Sequence, residues 1–250
     1  MKIHTLALAL TVCTATWVSS AEAQQARSAR EVQVEVDGTF VTTARSFSDT
    51  AAPLIHAEPG QLTAAYDVPR AAAFTIGGHV RVWRQLSAGV SYGQSSRSTS
   101  AQITGSLPHP FFFSRNRQIA GDVSNATRKD ATVAVHLRAA FPVARQTMLS
   151  VFGGPAWIAV TQSIVEQVNF SESYPYDTAS FTSASVRNAK HSKAAFQVGT
   201  DVTHFFSRRF GVGGGFRYSA ATVNLPSLDS DVLKIKAGGL DLTTGIRLRF

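Results

Sequence analysis

The sequence predicts an all-β fold, an eight-stranded antiparallel up-and-down transmembrane β-barrel. Three observations predict it: side-chain polarity alternates with a period of two, the alternating runs number eight, and the connectors between them are short and long by turns. Period two sends successive side chains to opposite faces of a strand. Short turns at one end and long loops at the other are the layout of a membrane barrel. With 250 residues, 44% hydrophobic and 16% charged, the chain is too apolar to be disordered. Its one long apolar stretch is N-terminal, which excludes helical membrane spans elsewhere.

The N-terminus reads as a cleaved signal peptide over 1–23: Lys2 gives a positive start, 6–18 an apolar segment, and Ala21-Glu22-Ala23 the cleavage site. The apolar segment is too short for a spanning helix, which needs about 20 residues. The mature chain, 24–250, forms a single barrel domain. Cys13, the only cysteine, leaves with the peptide, so the mature protein has no disulfide and relies on its own core or on lipid.

The first run sets Val32, Val34, Val36 and Phe40 opposite Gln33, Glu35, Asp37 and Thr39. The second sets Phe74, Ile76, Val80 and Val82 against Thr75, His79 and Arg81, and the third Leu86, Ala88, Val90 and Tyr92 against serines and glycines. In the fourth, Val133, Val135, Leu137 and Phe141 oppose Thr132, His136 and Arg138. The fifth, 148–160, is less regular: Phe152 and Trp157 fall on opposite faces and Pro155 implies a bulge or an interrupted ladder. The sixth carries Phe196, Val198, Val202 and Phe206 against Gln197, Asp201 and Thr203; the seventh Phe210, Val212, Phe216 and Tyr218 against glycines and Arg217. The last alternates Leu240, Leu242, Ile246, Leu248 and Phe250 with Asp241, Thr243, Gly245, Arg247 and Arg249. Long loops are expected at 45–70, 97–130, 166–193 and 222–236, the third able to extend its flanking strands. Alternation alone leaves open a soluble barrel or sandwich, whose apolar face points inward.

The final twelve residues, Gly239-Leu240-Asp241-Leu242-Thr243-Thr244-Gly245-Ile246-Arg247-Leu248-Arg249-Phe250, resemble the C-terminal targeting strand of bacterial outer-membrane proteins. The segments 151–157 and 205–218 also resemble a strand and a tight hairpin of the small outer-membrane barrels of the OmpX, Ail and OmpA-transmembrane type. The resemblance covers 24–250. It implies a bacterial outer-membrane location with termini periplasmic and long loops extracellular, and assembly machinery reading Leu248 and Phe250. It identifies an architecture whose members differ in function.

With the polar face inward, Glu35, Asp37, Asp201 and Asp241 meet Arg81, Arg138, Arg217 and Arg247 in the lumen, and the charges cancel. Eight strands enclose a space that side chains fill, so a plug of paired charges is expected; a narrow conduit for ions or small solutes is the alternative. A lipid A-modifying enzyme is a third reading. It needs a histidine beside a nucleophile and an acid; His191-Ser192 is the nearest pair, and its members point to opposite faces. His79 and His136 are expected to hydrogen-bond in the lumen and His204 to sit at the short-turn interface. No histidine or acid cluster has metal spacing, and no cofactor is implied. Gly213-Gly214-Gly215 has no following helix and is not a phosphate loop.

The second long loop holds Phe111-Phe112-Phe113 beside Arg115 and Arg117. These phenylalanines either pack over the barrel mouth or make a surface contact, with the arginines meeting lipopolysaccharide phosphates. The expected role is therefore structural or surface-interacting, without enzyme activity, for a monomer among outer-membrane lipid and lipopolysaccharide. A net charge of +8 suggests nucleic acid, but it collects at the short turns (Arg84, Arg145, Arg208, Arg209), where anionic headgroups are the expected counter-charge.

Overall fold

The structure, a computed structural model, describes residues 31–228 and 232–250; the signal peptide expected over 1–23 lies outside them. Eight long strands form the wall: β1 (Val32–Val41), β6 (Ala71–Trp83), β7 (Leu86–Pro108), β8 (Asn116–Ala144), β9 (Thr147–Glu172), β10 (Ala179–Phe205), β11 (Phe210–Pro226) and β12 (Val232–Arg249). Between β1 and β6 run β2 (Arg45–Ala51), β3 (Leu54–Ile55), β4 (Glu58–Pro59) and β5 (Gln61–Val68). The antiparallel ladder runs β7-β6-β1-β12-β11-β10-β9-β8 and returns to β7, so the ring closes. Its ends meet where Val32 N–H donates to Phe250 O at 3.1 Å and Phe250 N–H to Val32 O at 2.8 Å.

The connectors depart from expectation in one respect. The segment 97–130 is not a loop but the upper half of the continuous hairpin β7–β8, whereas 166–193 extends its flanking strands, as expected, into the upper half of β9–β10. The first loop is largely strand as well. The edge of β7 pairs with β6 as far as Ser95, then with β5 from Ser100 to Ser106, and β2 pairs with β5. Between β2 and β12 the wall is held without a ladder: Thr42 N–H donates to Leu240 O at 3.1 Å, and Arg45 Nη2 to Gly238 O at 2.5 Å. Asp49 accepts from Ser227 Oγ at 2.5 Å and Leu228 N–H at 2.9 Å. Gly238 and Gly239 have φ of +82° and +132°, so the bend of β12 beside this seam requires glycine.

Along β7 and β11 parity is constant, yet the chemistry of the two faces exchanges partway up; on β8 a bulge opposite Thr99 and Ala101 moves the inward row from even to odd residues. On β11, Phe210, Val212, Phe216 and Tyr218 point outward and are followed by Ala220, Thr222 and Asn224. Its inward row runs Gly211, Gly213, Gly215, Arg217 and Ser219, then Ala221, Val223 and Leu225. On β7 the outward row passes from Leu86, Val90 and Tyr92 to Gln94, Ser96, Ser98 and Ser100, while the inward row passes from Ser87 and Ser91 to Ala101, Ile103 and Leu107. The short-turn half is thus apolar outside and polar inside, and the long-hairpin half is the reverse.

The outward apolar band fits a bilayer. Aromatic residues rim it on both sides: Trp83, Phe141, Phe206 and Phe210 near the short turns, and Phe74, Tyr92, Trp157, Phe196 and Tyr218 above. From Phe196 to Phe206 the strand advances about ten residues, which at a tilt of roughly 40° projects to about 25 Å, the height of a membrane-barrel belt. Phe152 and Trp157 separate as alternation requires, Phe152 into the lumen and Trp157 outward.

Above the band the barrel continues as a turret with an apolar core. One cluster joins Leu62, Tyr66, Ile103, Leu107, Ile119 and Val165, and a second joins Ile158, Val160, Ile164, Val223, Leu225 and Ile235. Phe47 touches both and stacks on Tyr66 at 4.6 Å. The Tyr66 hydroxyl accepts the Val165 N–H at 2.7 Å. Burial in this core pushes the Tyr66 phenol up to about 12, against the Val165 N–H, which favours the ionised form.

Two outcomes follow from this layering. Val36 lies mid-band and faces outward, so Val36→Arg is expected to cost about 2–4 kcal/mol. Thr222→Arg, outward on the turret, should cost under about 1 kcal/mol; chemical unfolding from lipid vesicles measures both. The Tyr66 pKa is higher folded than unfolded, so stability should fall as pH rises from about 10 to about 12. Absorbance titration of the phenolates, compared with Tyr66→Phe, identifies that component.

Candidate functional site: the lumen charge ring and the turret tip

The belt encloses a set of buried charges. Glu35 and Arg247 are direct cross-strand partners on β1 and β12, and Asp37 follows Glu35 on the same face. Arg138 reaches in from β8 and Asp201 from β10. Arg138 Nη2 donates to Glu35 Oε2 at 2.9 Å and Oε1 at 3.1 Å, and its Nη1 lies 3.8 Å from Asp201 Oδ1. Arg247 Nη2 donates to Asp201 Oδ2 at 2.6 Å, its Nε lies 3.6 Å from Glu35, and its Nη1 donates to Asp37. Arg138, Glu35, Arg247 and Asp201 therefore form a closed ring of alternating charge, with Asp37 hung on Arg247 and Thr203 Oγ1 donating to Asp201 at 2.7 Å.

Small residues make room for it. A Cβ on Gly213 would stand 3.0 Å from Arg247 Nε, and one on Gly77 would stand 2.8 Å from Glu35 Oε1. Gly213 of the glycine-rich β11 thus serves as clearance for Arg247, which is 1% exposed. Such burial is tolerated because each charge is paired; an unpaired ion here would cost several kcal/mol.

Arg217 stands apart from the ring. It is buried, donates to Thr75 Oγ1 at 3.4 Å, and lies over Phe152 at 5.8 Å, with Arg138 over the same ring at 5.1 Å. Its cross-strand neighbour is Asp241, which is half-buried. Arg81 needs correction: although it has inward parity, it sits at the short-turn rim, 45% exposed, paired to Glu31 at 2.5 Å. The strand ends before parity can bury it. His79 and His136 are inside, but His79 Nδ1 and both ring nitrogens of His136 lack protein partners among the described residues. His136 instead packs against Phe152 at 5.4 Å. His204 is exposed near a short turn, with Nδ1 3.0 Å from Thr147 Oγ1.

A second polar layer, in a segment expected to be a loop, lies at the top of the belt. Asp130 is shared by Arg97 and by Arg128, whose Nε donates at 3.0 Å and 3.1 Å to its two oxygens. Above it the two apolar clusters fill the turret. The axis therefore passes through a charge ring, a polar layer and an apolar core in series.

At the far end, the β7–β8 turn and the β9–β10 turn form one tip. The Nδ1 of buried His109 accepts the N–H groups of Phe111 at 3.1 Å and Phe112 at 3.3 Å, and Glu58 accepts from Ser114 N–H at 3.0 Å. Arg117 is not a surface residue as expected. It is buried beneath the turn, paired to Glu172 and donating to Pro108 O at 2.6 Å and Tyr176 O at 3.2 Å. Its guanidinium fastens one hairpin to the other. Arg115 is exposed but pairs with Asp177 at 2.9 Å. Phe111, Phe112 and Phe113 remain 68%, 56% and 78% exposed, and exposed Tyr174 joins them through Tyr176. Phe111 meets Tyr176 edge-on at 5.4 Å.

This arrangement defines a class: a membrane-spanning eight-stranded barrel, polar-filled in its belt and extended on one side by a turret. No protein-family model and no curated protein matches the chain. Among solved structures it is similar to neisserial surface protein A (TM-score 0.45, 11% identity, covering 88% of this chain and 97% of that one). It is also similar to Ail, the attachment invasion locus protein of Yersinia pestis, in complex with the heparin analogue sucrose octasulfate (0.40, 12%, 88% and 99%). A third is outer membrane protein AlkL in lipid bilayers (0.39, 10%, 94% and 95%).

The ring sets an expectation. Arg247→Met leaves Glu35, Asp37 and Asp201 facing one another and should destabilise the barrel by about 3–5 kcal/mol. Adding Asp37→Asn should recover part of that loss; additive losses in chemical unfolding would show that the two side chains act independently.

Proposed function

We propose that the protein is an outer-membrane barrel whose work is surface contact, with a sealed lumen and a rigid aromatic tip that engages a partner. The observation that carries this reading is the tip: three consecutive phenylalanines face solvent on a base held by Arg117, Glu172 and His109. Large exposed apolar side chains in contiguity mark interaction sites, and anchors held rigidly lose little entropy on binding. Arg115 and Arg117 are committed to Asp177 and Glu172, so the reading rests on the aromatics and not on phosphate contacts by these arginines.

The series of filled layers favours a closed lumen over a conduit, since a solute would have to break the charge ring and then cross an apolar core. Catalysis has little support among the described residues. His191 and Ser192 point to opposite faces, and the histidine–carboxylate pairs His56–Glu172 and His109–Asp177 include no hydroxyl nucleophile. The same reading places the turret outside the cell, the short turns and termini in the periplasm, and Leu248 and Phe250 as the assembly signal of a monomeric barrel.

Cells displaying the protein are expected to adhere to epithelial monolayers above background. Replacing Phe111, Phe112 and Phe113 by alanine should abolish that adhesion at unchanged heat-modifiable gel mobility. Planar bilayers should show no stepwise current. Adhesion indifferent to the triple substitution, or a steady conductance, overturns the proposal.

A further inference from the structure

The short-turn mouth holds a cavity that the surface-contact reading does not use. It measures about 210 Å³ and is bounded by Glu31, Arg81, Arg84 and Arg249 at the rim, with buried Gln33, His79, Ser87 and Ser150 on its walls. At roughly 30 Å³ per water, that is room for about seven waters or one compact polar group. One carboxylate serves two guanidiniums here: Glu31 pairs with Arg81 at 2.5 Å and with Arg249. Among the described residues Arg84 makes no ion pair; it lies over the Trp83 ring at 5.7 Å. Among the described residues the rim of the cavity thus carries three arginines against one acid, an excess of two positive charges. Arg145 and Arg208 line an adjoining hollow that shares Arg249 with it.

The interior wall complements this excess. Gln33, Ser87 and Ser150 are donor-capable, and His79, 8% exposed, has a ring nitrogen without a protein partner among the described residues. Guanidinium forks combined with neutral donors in a concave site are suited to an oxyanion, because each oxygen can accept a charge-assisted hydrogen bond. The low-dielectric barrel wall strengthens the attraction relative to an open surface.

We propose that this vestibule is a phosphate-binding site, taking a phosphate group either from a soluble ester or from a phospholipid headgroup of the adjoining leaflet. The ligand sits between Arg81, Arg84 and Arg249 and competes with Glu31 for the two guanidiniums that residue now holds.

The experiment titrates inorganic phosphate into the barrel reconstituted in zwitterionic nanodiscs, following the amide NMR shifts of Gln85 and Ser87, with chloride at matched ionic strength as control. Saturable shifts with phosphate and none with chloride are expected, and Arg81→Gln/Arg249→Gln should weaken binding at least tenfold. Glu31→Gln, which keeps every cation, should tighten it several-fold; this variant decides the matter should the double substitution fail to fold. Repeating the titration in nanodiscs containing phosphatidylglycerol separates the sources: competition by the lipid assigns the headgroup, and unchanged binding assigns a soluble ester. Absence of saturation, equal response to chloride, or indifference to Glu31→Gln overturns the site.

Discussion

A barrel wall in lipid must be a closed ladder, because an unpaired backbone N–H or C=O in hydrocarbon costs several kcal/mol. Once β1 and β12 are joined at Val32 and Phe250, every side chain on the wall is committed to one face, and no strand can rotate to correct a misplaced residue. The surroundings of the outer face change from lipid to water partway up, so its side chains must change chemistry at that height. The interior changes in the opposite sense: polar where the wall is held by lipid, apolar where the wall stands in water and must generate its own core. The charge ring and the Tyr66 cluster are two answers to one geometric commitment.

The same constraint explains the glycines. A belt with eight strands has little room, and three arginines with their carboxylates occupy most of it. On β11 the inward position at Gly213 is left without a side chain so that Arg247 can cross to Asp201, while Gly211 and Gly215 leave room for the Phe205 ring and for the β10 backbone at Thr200. Stability in this region is a matter of pairing more than of apolar burial.

Much of the belt was legible from the chain. Rows such as Phe210, Val212, Phe216 and Tyr218 opposite Arg217 state both the strand and its faces, and Glu35, Asp37, Arg138, Asp201, Arg217 and Arg247 could be placed inward by counting in twos. Arg81 could not, because parity says which way a residue points and not whether the wall reaches far enough to cover it. The turret was missed for a different reason. Ala101, Ile103 and Leu107 do alternate with Ser100, Gln102, Thr104 and Ser106, but small polar residues dilute the contrast and the segment reads as a polar loop. Arg117 and Glu172 are fifty-five residues apart in sequence, and nothing local pairs them.

The height of the turret has a consequence of its own. From Tyr92 to Pro108 the strand climbs about 16 residues, roughly 40 Å along the axis at the same tilt. At physiological ionic strength electrostatic influence decays over about 8 Å, so the tip lies several such lengths from the membrane surface. What the phenylalanines meet is insulated from the charge of the lipid below. The tip can change its chemistry from one variant to another without disturbing insertion of the belt, and the belt can adapt to a different lipid composition without altering what the tip touches.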